Sequence, residues 1–202
     1  MYLPLKYKHG SFLSELLQIF RQEIDPFIDN LNKFQKDYIE KYSIGVYRDI
    51  PESEQKDFID EYDIEVIDKW FAVKIFDNFS FEHIDDFTVK TFPSTIEKIK
   101  NITGTKRAYI HIVNGKGTVA EHTDSEYGYQ IDPTPVYNYV MGVKIPNNNL
   151  TLVFPKKNDR RPVEENGYVT FDANYLHSAV NDDNNPAILL VLHIDRECFE
   201  FE

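Results

Sequence analysis

The stretch "RAYIHIVNGKGTVAEHTD", residues 107–124, decides the fold that we predict for this chain. Its first seven residues have the aliphatic and aromatic composition of a β-strand, and the glycine turn "NGKG" follows them. The turn leads directly to His122 and Asp124, which stand two positions apart. In an extended segment, residues i and i+2 point the same way, so this pair can offer an imidazole nitrogen and a carboxylate oxygen to one metal ion.

The second half of the chain continues in the same manner. Short segments rich in β-branched and aromatic residues alternate with clusters of Asn, Gly, Pro and Asp, which is the pattern of strands joined by turns. The later predicted strands are "YNYVMGVKI", "LTLVF", "GYVTFD" and "AILLVLHI". We therefore predict a β-rich core over residues 91–202.

The first half of the chain has a helical period. From Ser11 to Tyr42 apolar residues recur at the spacing of an amphipathic helix. Asp25 followed by Pro26 is typical of an N-cap with proline at the first helical position, so the pattern favours two helices over one. We predict that residues 1–90 form a helical N-terminal layer.

A shorter helix is predicted just before the strands. In "STIEKIKNITG", Ser94 and Glu97 have the spacing of a capping box, and Gly104 is a typical helix stop. The succession of helices and then strands indicates an α+β fold. A chain of this length buries one sizeable core, so we predict a single domain over residues 1–202.

Composition and charge exclude several classes of function. The net charge of −12 disfavours a nucleic-acid substrate, because such proteins neutralise phosphates with Lys and Arg. The longest apolar run, "AILLVL", is far shorter than the roughly 20 residues of a membrane helix, and the N-terminus lacks the apolar core of a signal peptide. The single cysteine, Cys198, forms no internal disulfide. We expect a soluble, cytoplasmic protein with no membrane partner.

The His-x-Asp pattern occurs three times, so it is weak evidence by itself. His193 and Asp195 have no histidine after them, and we interpret them as a strand-end pair. His83 and Asp85 lie ahead of the short helix, where a surface role is the simpler interpretation.

His122 and Asp124 are different, because His177 follows them behind the strand "GYVTFD" and a short turn. A His-x-Asp pair on one strand and a histidine on a later strand form the facial triad of non-haem iron oxygenases. From the pattern alone, a metal site and a set of unrelated polar residues both remain open.

Longer segments of the chain resemble the aspartyl/asparaginyl β-hydroxylase family in their order. The segments are "FPSTIEKIKNITGTKRAYIHIVNGKGTVAEHTD", "GVKIP" and "GYVTFDANYLHSAVNDDNNPAILLVLHID". The resemblance covers about residues 91–195 and not the N-terminal helices. It implies a double-stranded β-helix (jelly-roll) that uses Fe(II), 2-oxoglutarate and oxygen, with His122 and His177 as metal ligands. Some members have glycine in place of the carboxylate, whereas this chain retains Asp124, which we include among the ligands and catalytic residues.

The resemblance fails where the cosubstrate is anchored. The family holds the far carboxylate of 2-oxoglutarate with an arginine, and the matching position here is Ala187. Basic residues that the family has on another strand are replaced by Asn138 and Val140. The candidate cosubstrate residues are then His111 and Arg107, with Asn138 at the replaced position. His111 as an ordinary core histidine and Arg107 as a solvated strand end are the alternatives.

The sequence therefore predicts an Fe(II)- and 2-oxoglutarate-dependent dioxygenase that hydroxylates an amino-acid side chain in a protein, a peptide or a free amino acid. A cupin-like metal- or ligand-binding protein without oxidation chemistry is the alternative, and the missing anchor supports it. Nucleic-acid oxidation with the same triad is disfavoured by charge. Tyr127 and Tyr129 either line the mouth of the site or pack within a loop.

Overall fold

The computed structural model of the protein describes residues 5–8, 10–28, 31, 70–77, 86–124 and 136–201. We number its helices and strands in chain order. They are β1 (Leu5–Tyr7), α1 (Ser11–Ile28), β2 (Trp70–Asp77), α2 (Asp86–Thr91), α3 (Pro93–Lys100), β3 (Thr105–Val113), β4 (Thr118–His122), β5 (Val136–Lys144), β6 (Leu150–Phe154), β7 (Asp159–Val163), β8 (Tyr168–Asp172), β9 (His177–Asn181), β10 (Ala187–Asp195) and β11 (Phe199–Phe201).

Two antiparallel sheets form the core. The larger has the strand order β2-β3-β10-β5-β8, and the smaller has the order β4-β9-β6-β7. The eight strands from β3 to β10 are shared between the two sheets, which is the arrangement of a double-stranded β-helix. The predicted fold class, an α+β protein with a jelly-roll core and an N-terminal helix, is confirmed. The five strands predicted from composition correspond to β3, β5, β6, β8 and β10.

The large sheet separates two apolar clusters because its side chains alternate between its faces. In β10, Leu189 and Val191 belong to the cluster between the sheets, whereas Leu190 and Leu192 belong to the cluster beneath the helices. Each face of β10 is therefore buried. On the face between the sheets, β10 also carries the buried polar side chain of His193.

Helix α1 covers the outer face of the large sheet. Its buried stripe includes Leu13, Leu16, Phe20 and Ile24. The ring of Phe20 lies 5.6 Å from that of Phe92, which precedes α3. The stripe that predicted an amphipathic helix is thus the surface by which α1 joins the core.

The predicted break at Pro26 is wrong, because α1 runs through this residue to Ile28. Proline removes one backbone hydrogen bond and disturbs only the turn before it. Pro26 lies in the last turn, and Ile24 and Phe20 before it stay fully buried. Packing of the stripe outweighs the local preference.

The predicted capping box at Ser94 and Glu97 is also wrong. Phe92 is the N-cap residue of α3 and makes no side-chain cap. Instead, the carboxylate of Glu23 in α1 accepts hydrogen bonds from the backbone N–H groups of Ser94 and Thr95, at 2.8 and 3.0 Å. It also accepts a bond from the Thr95 hydroxyl at 2.6 Å. The cap of α3 therefore comes from another helix.

Strand β2 was missed, since residues 1–90 were predicted as a helical layer. In "WFAVKIFD" the buried residues are Phe71, Val73 and Ile75, and the strand pairs with β3 at the edge of the large sheet. The alternation was visible in the sequence.

None of the helices described here is long and apolar enough to cross a membrane. The predictions for the second N-terminal helix, for His83 with Asp85, and for Tyr127 and Tyr129 lie outside the described residues.

Candidate metal centre

Two histidines face each other in the small sheet. His122 ends β4 and His177 begins β9, and the two residues are partners in the antiparallel pairing of these strands. Their ring centroids are 4.3 Å apart. Strand pairing therefore brings together two imidazoles that are distant in sequence.

Backbone carbonyl groups hold both imidazoles in one tautomer. Nδ1 of His122 lies 2.7 Å from the carbonyl oxygen of Ala120. Nδ1 of His177 lies 2.8 Å from that of Tyr175. A carbonyl oxygen only accepts hydrogen bonds, so each Nδ1 carries a proton and donates it. Each Nε2 then keeps its lone pair, which is the state in which histidine binds a metal ion.

The carboxylate of Asp124 completes the group. Its Oδ1 lies 3.5 Å from Nε2 of His122, and its Oδ2 lies 3.5 Å from Nε2 of His177. One donor atom from each of the three residues lies within 4.8 Å of the others. This donor set is that of the two-histidine, one-carboxylate site that binds non-haem Fe(II) and leaves coordination positions open. The three predicted ligands are adjacent, and their chemistry fits such an ion.

Asp124 is held by β5 and by the residue that follows β8, both of the large sheet. Its backbone N–H donates to the carbonyl oxygen of Ala173 at 3.1 Å. Asn138, in β5 of the large sheet, donates a side-chain N–H to the Asp124 carboxylate. The Oδ1 atom of Asn138 is buried and has no hydrogen-bond partner among the described residues. A buried acceptor left open beside the carboxylate fits a site that takes a further ligand.

The protonation states also suit a metal. Burial raises the pKa of Asp124, but its interactions with His122, His193 and His177 outweigh burial and hold that pKa well below its usual range. Burial lowers the pKa of His177. An ionised carboxylate and a neutral imidazole are the metal-binding forms of these groups.

A cavity between the sheets opens beside the three residues. Its lining is mostly aliphatic, together with Phe171. The polar residues that line it besides the three donors are His111 and Asn138. No lysine or arginine lines it among the described residues. Among these lining residues, a carboxylate deep in the cavity would meet no cationic partner.

Ala187, where the resemblance predicts an arginine, is fully buried in the apolar cluster between the sheets. Burial lowers the pKa of His111 to about 4. His111 is therefore neutral at pH 7 and offers a hydrogen bond but no charge. No described residue that lines the cavity offers a positive charge to the far carboxylate of 2-oxoglutarate.

Arg107 does not line the cavity. Its Nε lies 3.7 Å from the carboxylate of Asp77, which also pairs with Lys74 at 3.1 Å. Arg107 is the β-sheet partner of His193, and His193 is in turn the partner of Asn138. Of the three candidate cosubstrate residues, His111 and Asn138 thus lie in the cavity, and Arg107 lies two strands away from Asn138.

His193 and Asp195 lie at the end of β10, as predicted, but the two side chains have different partners. The side chain of His193 is buried and lies between the sheets, with its ring 5.4 Å from that of Tyr109. Asp195 forms an ion pair with Lys106 at 3.0 Å instead. Sequence could have placed His193, because it shares the strand parity of the inward-facing Val191.

Comparison with known proteins gives one family. The family model described as aspartyl/asparaginyl β-hydroxylase matches residues 20–197 of this chain. No curated protein shows significant similarity.

Solved structures show distant similarity. The Cupin_2 domain of an XRE family transcriptional regulator from Enterobacter cloacae is 12% identical, with 62% of this chain and 96% of that chain covered and a TM-score of 0.39. A viral collagen prolyl hydroxylase from Paramecium bursaria Chlorella virus-1, solved as a 2OG complex, is 10% identical, with coverage of 64% and 81% and a TM-score of 0.41.

Proposed function

The chain belongs to the aspartyl/asparaginyl β-hydroxylase family, and from that premise we propose that it is an Fe(II)-dependent dioxygenase that hydroxylates an amino-acid side chain with a 2-oxo acid as cosubstrate. The observation that carries the proposal is the convergence of His122, Asp124 and His177 on one point. The family's cosubstrate, 2-oxoglutarate, is the first candidate for the oxo acid.

Bound Fe(II), together with a 2-oxo acid and oxygen, would supply the oxidising power for insertion of oxygen into a C–H bond. The protein's part is to present the metal-binding atoms in fixed directions. Ala120 and Tyr175 orient the two imidazoles through their carbonyl groups, and Asn138 orients the carboxylate. Such supporting contacts fix ligand geometry and tune metal affinity.

The apolar lining of the cavity supports the same function. The ring centroid of Phe171 lies 4.6 Å from that of His177, and the ring centroid of Phe154 lies 5.0 Å from that of Phe171. These rings and the aliphatic residues beside them exclude water from one side of the metal centre. Excluding water protects a reactive centre from side reactions.

The substrate that we propose is an amino-acid side chain in a protein, in a peptide or as a free amino acid. We also propose that the protein works as a single domain in the cytoplasm, since its single cysteine suits a reducing compartment.

A cupin-like protein that binds a metal or ligand without oxidation is the second candidate. Ala187 is the observation that favours it, because the buried alanine removes the group that would anchor 2-oxoglutarate. In this alternative the metal triad is present but no oxo acid is consumed.

Oxo-acid turnover separates the two candidates. Purified protein loaded anaerobically with Fe(II) is exposed to oxygen with a panel of 2-oxo acids, and the decarboxylated product is quantified. Product formed by the wild type and not by His177→Ala supports the hydroxylase. Metal binding without product from any oxo acid supports the binding protein.

A further inference from the structure

A basic turn joins β6 to β7. Residues 155–161, "PKKNDRR", carry four cations and one carboxylate in a chain whose net charge is −12. Lys156, Lys157 and Arg160 are exposed. The turn is therefore a positive patch on an acidic protein, and the proposed metal chemistry makes no use of it.

The pairing of β6 places this basic turn at the metal end of the barrel. Val153 in β6 is the partner of Ser178, the residue that follows His177. Phe154 ends β6 with its ring 6.2 Å from that of His177, and the chain then enters the turn. The positive patch lies at the rim, just beyond the level of the metal ligands.

The basic turn also contacts Tyr175, the residue whose carbonyl group orients the His177 imidazole. Nζ of Lys157 lies 3.5 Å from the centre of the Tyr175 ring, a cation–π contact. The carbonyl group of Tyr175 is the one that accepts the hydrogen bond from Nδ1 of His177. Tyr175 thus contacts both the basic turn and the imidazole of His177.

The cations of the basic turn are not all neutralised locally. Arg161 pairs with Asp159 at 3.0 Å. No ion pair joins Lys156 or Arg160 to another residue within the described part of the chain. Both side chains are exposed at the rim, where they can meet carboxylates supplied by a ligand.

We propose that the basic turn binds an acidic segment of a polypeptide substrate, whose neighbouring side chain then reaches the metal centre. The inference deepens the proposed hydroxylation and rests on it. A free amino acid is too short to use both the cavity and the exposed rim. A nucleic-acid duplex carries one charge per about 1.7 Å, far more than Lys156 and Arg160 could neutralise, whereas an acidic peptide presents a few separate carboxylates.

Binding of labelled octaglutamate to the full chain tests the proposal. Fluorescence anisotropy at low salt compares the wild type with a variant that combines Lys156→Glu and Arg160→Glu, called the rim variant. We expect affinity to fall about tenfold, because each reversal replaces a weak surface attraction by a repulsion. Raising the salt should weaken wild-type binding, since exposed charges are screened.

A matched control carries Lys90→Glu and Lys100→Glu, two exposed reversals in α2 and α3 that change the net charge equally. This control should bind octaglutamate almost as well as the wild type. Equal loss in both variants, or no loss in either, would overturn the proposal. Tighter binding of a single-stranded oligonucleotide that is lost with the rim variant would also overturn it in favour of a nucleic acid.

Turnover separates failure of this inference from failure of the proposed function. The rim variant should consume the oxo acid without a peptide as fast as the wild type, because the metal ligands are unchanged. If the rim variant shows normal turnover and unaltered octaglutamate binding, the docking site is refuted and the proposed hydroxylase function is not affected. Absence of turnover in the wild type with every oxo acid would instead overturn the function on which the inference rests.

Discussion

Asn138 in the large sheet donates a hydrogen bond to Asp124, which follows β4 in the small sheet. The contact crosses the barrel and fixes the carboxylate that stands between His122 and His177. It gives Asn138 a part in the site although it is not a metal donor. The sequence had marked Asn138 as a candidate cosubstrate residue, at a position where the family has a basic residue.

Replacing Asn138 with Leu should weaken Fe(II) binding by about ten- to a hundredfold, which is the usual effect of losing a group that supports a metal ligand. Anaerobic titration with Fe(II) measures it. The matched control is Asn174→Leu, because Asn174 donates to Asp172, a carboxylate outside the triad. Equal Fe(II) affinity in both variants would contradict the role of Asn138.

The cap of α3 gives a prediction about stability. Replacing Glu23 with Ala should lower the free energy of unfolding by roughly 1–2 kcal/mol, the upper range for loss of a helix cap, since Glu23 accepts three hydrogen bonds from Ser94 and Thr95. Urea denaturation measures the change. Glu97→Ala is the control and should have little effect, because Glu97 does not cap the helix. A larger loss of stability in Glu97→Ala than in Glu23→Ala would instead support the capping box of Ser94 and Glu97.

Acid stability should depend on Asp183. Hydrogen bonds from the side chain of Asn147 and from the backbone of Asn185 lower the pKa of Asp183 to about 2. A lowered pKa means that the stabilisation is complete above the ordinary value near 3.8 and is lost as the pH falls through about 2. Asp183→Asn should therefore be less stable than the wild type at pH 6, and the difference should shrink between pH 4 and pH 2. Denaturation across this range checks it; a constant difference would be evidence against the shift.

The cosubstrate gives a fourth prediction. Ala187 stands where the resemblance predicts an anchoring arginine. Charge-assisted hydrogen bonds of such an anchor contribute about 1.5–3 kcal/mol each, so 2-oxoglutarate should bind roughly ten- to a hundredfold more weakly than it would with the anchor. Calorimetric titration of the anaerobic Fe(II) protein, against 2-oxo acids with uncharged ends, measures the preference. If His111 or Arg107 has taken over the role, affinity should be ordinary and should fall when that residue becomes Ala. Tight binding that survives both substitutions would mean that another basic group reaches the cavity.

Local pattern predicted the strands of the core well because alternation and turn residues are short-range signals. The segment "RAYIHIV" lies within β3, and "LTLVF" is β6. The same signals failed where distant contacts decide. Glu23 caps a helix about seventy residues away, and packing of Phe20 and Ile24 carries α1 through Pro26. Neither contact leaves a trace in the local sequence.

For the site too, short-range features could be predicted from the sequence and long-range contacts could not. Parity and order made His122, Asp124 and His177 candidates, the family resemblance selected the two histidines as ligands, and the structure brings all three together. The inward direction of His193 was also encoded in strand parity, but its neighbours Asn138 and Arg107 depend on which strands pair. The strand order of a sheet is a long-range property, and a single sequence does not reveal it.

The most direct test of the metal centre is the Fe(II) affinity of His177→Ala compared with His193→Ala under anaerobic conditions. Both variants remove a buried imidazole from the space between the sheets, but only His177 belongs to the three converging donors. We expect His177→Ala to lose at least roughly a hundredfold in Fe(II) affinity, more than the loss of a supporting residue causes, while its circular dichroism stays that of the wild type. His193→Ala should bind Fe(II) as the wild type does. Unchanged Fe(II) affinity in folded His177→Ala would contradict the assignment of the site.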